Sequence, residues 1–307
     1  MNYALLAEQF LNGFQFGIIL FLLAAGLTLI FGIMDLVNLA HGSLYMIGAY
    51  LAATFSSLTG SFFLGVLIAL PLMVVVGIVL EFVALRTLYA RDHLDHVLAT
   101  FGLILFFNEL VKVIWGPEGQ TIALPAFLNE SVTLPLGIDY PVYRLAIIGV
   151  GLVVAFALWA VVTHTRIGML IRAGASNREM AGALGVNIPL LFTLVFGIGA
   201  ALAGLAGMVI TPITQAEVGM GEQVLILAFV VIVIGGIGSI RGAFIAAILT
   251  GLVDAMGRSF LDVILLAVLP SNAAEAAGPA LSSMLIYIFM AAVLFFRPQG
   301  LFPPKSR

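Results

Sequence analysis

Apolar residues run along this chain in blocks long enough to cross a membrane, and the blocks break at proline, glycine and charge clusters. They fall at 10–31, 33–58, 62–85, 96–115, 142–163, 189–212, 222–238, 240–258 and 281–296. Most approach the roughly 20 residues that a spanning helix needs. None alternates in the manner of a membrane strand, so the pattern predicts an all-α, polytopic transmembrane helical bundle of about eight or nine spans. The second block is irregular at its start, where Asp35, Asn38 and His41 interrupt IFGIMDLVNLAHGSLYMIGAY among Gly32, Gly42 and Gly48. That predicts at least one broken or re-entrant helix, since irregular backbone at membrane depth is tolerated only where it lines a cavity or is buried in protein. Segment 259–280 turns rich in Ser, Asn, Ala and Gly and is expected to be an outer loop with an interfacial turn.

Composition strengthens this picture. Hydrophobic residues fill 63% of 307 positions and charged ones 9%, against about 25% charged in a soluble domain. Residues 1–307 therefore read as a single transmembrane domain. Cysteine is absent, which excludes disulfides, thiolate nucleophiles and sulfur-ligated metals. A net charge of −3 implies no strongly charged partner and no nucleic acid. No Lys or Arg precedes the first block, so it is expected to be a retained span and not a cleaved signal.

Basic residues orient the bundle. Arg86 and Arg91 follow the third block, Arg166, Arg172 and Arg178 follow the fifth, and Arg297, Lys305 and Arg307 follow the last. An outside N-terminus places all three clusters in the cytoplasm, together with the C-terminus, as the positive-inside rule asks. The opposite loops, 116–141 and 213–221, carry Glu118, Glu130, Asp139 and Glu217 and no Lys or Arg. Lys112, Arg144 and Arg258 are exceptions at predicted outer ends.

Catalytic constellations are hard to assemble. The two lysines, Lys112 and Lys305, lie in no GxxxxGK[ST] loop, so an ATP-driven transporter would need its nucleotide site on another chain. Gly235, Gly236, Gly238 and Gly242 resemble a dinucleotide fingerprint but miss its spacing, and they read better as a break between two helices. His41, His93, His96 and His164 have no metal-ligand spacing. His93 and His96, beside Asp92 and Asp95, read as a solvated charged turn. Ser239 has no histidine base nearby in sequence. Neither an enzyme, a metal site nor a cofactor is expected.

The remaining polar residues lie too deep for lipid. The spacing of Asp35, Asn38 and His41 predicts one helix side, and a charge near the bilayer centre costs about 2.5–3.5 kcal/mol on insertion scales. Such a cluster either lines a polar path or braces neighbouring helices. Asn108 and Glu109 form a second polar point, with Lys112 placed for an i,i+3 ion pair, and Asp254 is a third. The small residues of 197–207 overlap in spacings that let helix backbones approach closely.

Loop 164–188 carries the most specific local signal. Ser176 and Glu179 fit a capping box, which predicts a short helix over 177–184 stopped near Gly185 by a left-handed residue. Pro189 can open the next span. Exposed Met180, Ala183 and Leu184 then suit either a docking element or an interfacial helix on lipid headgroups.

GLTLIFGIMDLVNLAHGSLYMIGAYLA, the loop with its EMAGALGVN core, and the ending LFFRPQGLF together resemble permeases of branched-chain amino acid ABC importers. The resemblance runs end to end. It implies a second permease subunit, homologous or identical, two cytoplasmic ATP-binding subunits, a periplasmic solute-binding protein and a bacterial inner-membrane location. It implies that 176–185 is the coupling helix, with Ser176, Glu179, Met180, Ala183, Leu184 and Gly185 at the ATPase. Asn38, His41 and Gly42 match the family's NxAHG signature, so the expected translocation path takes in Asp35, Asn38, His41, Gly42, Asn108 and Glu109. The same branch includes permeases for urea, amides and aromatic acids. An internal duplication aligns 32–50 with 235–251. The rival readings are an ion-coupled secondary transporter using Asp35, Glu109 or Asp254, and a membrane scaffold or enzyme. Adjacent ATPase and binding-protein genes would favour the importer.

Overall fold

The computed structural model describes residues 3–302 apart from 90, 136, 268 and 269. The basic residues Lys305 and Arg307 lie outside the described residues. Among the described residues, seven helices are long and apolar enough to cross a membrane. They are α1 (Tyr3–Met34), α3 (Phe62–Leu80), α4 (His93–Trp115), α5 (Val142–His164), α8 (Ile188–Thr214), α10 (Ile240–Leu266) and α11 (Ser271–Phe296). Two further helices, α2 (His41–Thr59) and α9 (Met220–Gly235), complete the membrane unit. The connections are a short hairpin, β1 (Ser131–Leu134) with β2 (Ile138–Pro141), and the helices α6 (Arg166–Ser176) and α7 (Arg178–Ala183).

The most buried helix is α1, and glycine is the reason. Gly13 and Gly17 lie against the α10 backbone, where a Cβ would stand 2.9 Å from the Gly251 carbonyl oxygen and 2.8 Å from that of Ala247. Gly26 meets the Gly199 carbonyl of α8 at 2.6 Å in the same sense. Lipid tails are as apolar as leucine, so close backbone packing, not hydrophobic transfer, holds such helices together. The small-residue run of α8 continues this surface, with Gly204 against Gly48 and Met73, and Gly207 against the Tyr45 carbonyl.

The second block does not begin a helix at residue 33. Asp35 takes the left-handed conformation (φ 53°) directly after α1, and the chain runs without helix through residue 38 before a turn at 39–40. His41, first residue of α2, meets the Leu23 carbonyl at 3.2 Å and packs on Gly26. Gly26 is eight residues before the end of α1, so the link climbs back about 12 Å before α2 starts. The same design recurs after α8. Gln215 has a positive φ (67°), the chain turns back, and the Gly219 N–H reaches the Met46 sulfur at 3.4 Å. At 16 residues, α9 is about 24 Å long, short of the roughly 30 Å hydrocarbon core.

The order helix, link, helix occurs twice, as α1–link–α2 and α8–link–α9, with a residue of positive φ after the first helix each time, and the glycines of 235–238 lie at the α9–α10 turn. Two expectations change. Segment 259–280 is mostly helical, because α10 continues to Leu266 and α11 starts at Ser271. His96 is no solvated turn residue: it is buried in the first turns of α4 and meets the Leu88 carbonyl at 2.9 Å, while His93 is exposed. The ending RPQGLF folds back on α9, where the Leu301 and Phe302 N–H groups donate to the Ile234 and Gly235 carbonyls.

Replacing Gly207 with Leu should destabilise the protein by about 1–3 kcal/mol, the usual cost of overpacking, since Tyr45 and Ala49 backbone fills the space. Gly102, with nothing within 4 Å of its would-be Cβ, should tolerate Ala or gain up to about 1 kcal/mol. Detergent melting temperatures of the two variants compare the sites directly.

Candidate functional site

The two link-and-half-helix units meet head to head. Gly42 is the second residue of α2 and Gly221 the second of α9. A Cβ on Gly42 would stand 2.5 Å from the Gly221 carbonyl oxygen, and Gly221 is equally closed by Gly42. Two helix N-termini therefore converge at membrane depth. Each brings N–H groups without intrahelical partners and the positive end of a helix dipole. Glu222 occupies the first turn of α9, where that dipole favours a carboxylate. No acidic residue occupies the first turn of α2, and no side chain caps it.

Helix α4 braces both units. The Thr100 hydroxyl, itself bonded to the His96 carbonyl, accepts the Leu39 N–H of the first link at 3.2 Å. Asn108 Nδ2 donates to Glu222 Oε1 at 2.5 Å. Trp115 Nε1 donates to Thr54 of α2 at 2.7 Å.

The expected path residues do not form one cluster. Asp35 is exposed, while Asn38 and His41 are fully buried. The three share no helix side, because residues 35–38 are not helical. His41 faces a carbonyl, which can only accept, so Nε2 carries its proton and Nδ1 is left bare. Both side-chain heteroatoms of Asn38 lack a partner among the described residues. Gly42 serves backbone packing. Asn108 belongs to the Glu222 contact. Glu109 forms the i,i+3 pair with Lys112 at 2.6 Å on an exposed face, and Asp254 pairs with Arg258 at 2.8 Å.

Glu222 and Gln223 extend the polar, exposed surface of α4. Both were missed as site residues: they open the apolar block 222–238 and read as its boundary. The clue lay in GMGEQ, where glycines flank the residues that begin a half-helix.

The loop between α5 and α8 is built from successive caps. Thr165 caps α6 by accepting the Gly168 N–H at 3.1 Å. Ser176 does not cap the next helix: it is the last residue of α6, and Asn177 takes the cap, accepting the Met180 N–H at 2.9 Å. The capping box fails for that reason, and Glu179 merely supplies an acidic first turn. Gly185 ends α7 in the left-handed region (φ 92°). The Gly185 N–H reaches the Gly182 carbonyl and the Val186 N–H that of Ala181, a Schellman arrangement. Asn187 caps α8, with Pro189 in its first turn. Met180, Ala183 and Leu184 project outward, and Ala181 is buried.

A buried carboxylate ties this loop's exit to α3. Glu81 begins a π-helical turn, Glu81–Leu85, and its side chain is fully enclosed. It accepts from Arg86 at 3.2 Å, from Tyr89 at 2.5 Å and from Thr193, in the opening turns of α8, at 2.8 Å. Burial, and then the Glu81 carboxylate holding its proton, push the Tyr89 phenol well above its ordinary range.

Seven apolar spans, with two further helices whose N-termini meet inside the bundle beside polar groups, fit a multi-pass membrane transport protein. Residues 9–294 match the family model described as branched-chain amino acid transport system / permease component, and the chain belongs to that family. It is 30% identical to the high-affinity branched-chain amino acid transport system permease protein BraD of Pseudomonas aeruginosa, covering 96% of this chain and 94% of the relative. It is also 30% identical to LivH, of the same description, from Escherichia coli strain K12, over 83% and 87%. The ribose import permease protein RbsC of that strain is 27% identical over 76% and 72%. No solved structure matches. The chain is thus a permease subunit of an ABC importer in the bacterial inner membrane.

If α4 and α9 present a wetted face, cysteines at Asn108, Glu222 and Gln223 should react with a water-soluble thiol reagent in membranes. Cysteines at Val153 and Phe63, exposed on apolar faces, should stay unlabelled. Equal labelling of both sets would remove the polar face as a path.

Proposed function

We propose that residues 1–307 form one half of the translocation path of an importer for branched-chain amino acids or similar small polar solutes. Asn108, Glu109, Glu222 and Gln223 line the path on α4 and α9, and Asn38, His41 and Gly42 brace the start of α2 behind them. The observation that carries this reading is the exposed polar patch of Glu109 and Lys112 on the apolar span α4 and Glu222 and Gln223 on α9. Lipid would penalise it, whereas a second permease subunit across a water-filled gap would not. The named substrates of BraD and LivH supply the substrate class. The chain contains no nucleotide-binding loop, so two ATP-binding subunits hydrolyse ATP, and a periplasmic solute-binding protein delivers the solute.

The ATPases act on loop 164–188, with the N-terminus of the chain outside and the C-terminus cytoplasmic. Met180, Ala183 and Leu184 form an apolar face that a nucleotide-binding subunit can cover. Asn177 and Gly185 hold α7 rigid at both ends. Motion of α7 passes into α8 through Asn187, and into α3 through Thr193 and Glu81.

This reading gives a ranking. Ala183→Asp places a charge in the docking face and should abolish substrate-stimulated hydrolysis. Asn177→Ala should weaken it mildly, since loss of a cap is worth about 1 kcal/mol, and Ser176→Ala should be silent. Co-purification with the ATPase and stimulated hydrolysis measure all three. An unchanged Ala183→Asp complex would move coupling elsewhere, and periplasmic labelling of a cysteine at Ser176 would invert the orientation.

A further inference from the structure

A crevice of about 1170 Å³ opens beside α1 on the side of loop 164–188. Phe21 of α1, Phe156 and Trp159 of α5, Phe244 of α10 and Leu294 of α11 line it. Among the described residues its charged lining is Arg172, Arg241 and Asp35, two positive charges against one negative. Arg241 has no hydrogen-bond or ion-pair partner among the described residues. Arg172 donates to the Val162 carbonyl, which leaves its charge unneutralised. Helix α10 begins beside Arg241 and adds the positive end of its dipole.

We propose that this crevice binds one anionic phospholipid, its phosphate between Arg172 and Arg241 and its acyl chains along the aromatic walls. A largely apolar, aromatic-lined crevice with a net positive charge matches the two parts of such a lipid better than a free ion or a zwitterionic headgroup. Basic pockets between membrane helices take anionic headgroups for this reason. The outer faces flanking the crevice are apolar, with Val153 on α5 and Ile288 and Phe295 on α11 exposed. The helices that line the crevice thus carry exposed apolar residues, and no residue of α4 lines it. The inference is independent of the substrate proposed above.

Trp159 makes the site observable, since the chain has one other tryptophan, Trp115. The full-length chain carrying Trp115→Phe is reconstituted in phosphatidylcholine vesicles with a minor fraction of brominated lipid. Brominated phosphatidylglycerol should quench Trp159 at several-fold lower mole fraction than brominated phosphatidylcholine. Arg241→Gln should reduce that preference about fivefold, and Arg172→Gln by a similar factor. Equal quenching by the two headgroups, or an unchanged preference in Arg241→Gln, overturns the proposal. Relief of quenching by inorganic phosphate would assign the site to a free anion, and relief on adding a second permease subunit would assign it to protein; either rejects the lipid. Native mass spectrometry of the unsubstituted chain, where phosphatidylglycerol should outlast phosphatidylcholine as an adduct, gives the same answer without Trp115→Phe.

Discussion

Everything in this molecule is arranged around the contact between Gly42 and Gly221. Two helices that begin inside the membrane can start at the same depth only if their first turns touch backbone to backbone, and a single Cβ on either would meet the opposite carbonyl. Seating those turns requires both preceding links to fold back, hence the positive φ of Asp35 and Gln215. It also requires α1 and α8 to approach closely enough to support them. The glycines of α1 and α8 serve that one geometric demand from different sides.

Membrane burial raises the stakes for each polar group in the arrangement. A backbone N–H or C=O without a partner in hydrocarbon costs several kcal/mol, so Thr100 on the Leu39 N–H and the Leu301 and Phe302 N–H groups on the α9 carbonyls are requirements of the fold. Glu81 follows the same logic with a full charge. Its three neighbours satisfy both oxygens, and the local π turn lies where the ion pair with Arg86 is made. Asn38 is the contrast. Its amide, with no partner at either end among the described residues, stands where the first link meets α2.

The helical class, the broken second span and the stop at Gly185 were all legible in the residues, because apolar block length and glycine position are local signals. The cap at Asn177 was less so. Ser176 and Asn177 are both good capping residues, and which one leaves the preceding helix depends on where α6 runs out against α5, a tertiary fact. The clustering of Asp35 with Asn38 and His41 failed similarly: a three-residue spacing implies one face only if the backbone is helical there. Glu222 and Glu81 were invisible for a different reason. Each stands next to a long apolar run, and only the partner from a distant helix, Asn108 or Thr193, distinguishes a hydrogen-bonded carboxylate from a boundary one.

The fold-back of RPQGLF has a consequence for biogenesis. The Ile234 and Gly235 carbonyls receive their partners from residues 301 and 302, some 65 positions later in translation. The second half-helix is therefore unfinished while α10 and α11 are being inserted, and its inner end closes only after residue 302 has left the ribosome. Maturation of the two halves is ordered in time: the first link and α2 can settle during synthesis, and the second is completed last.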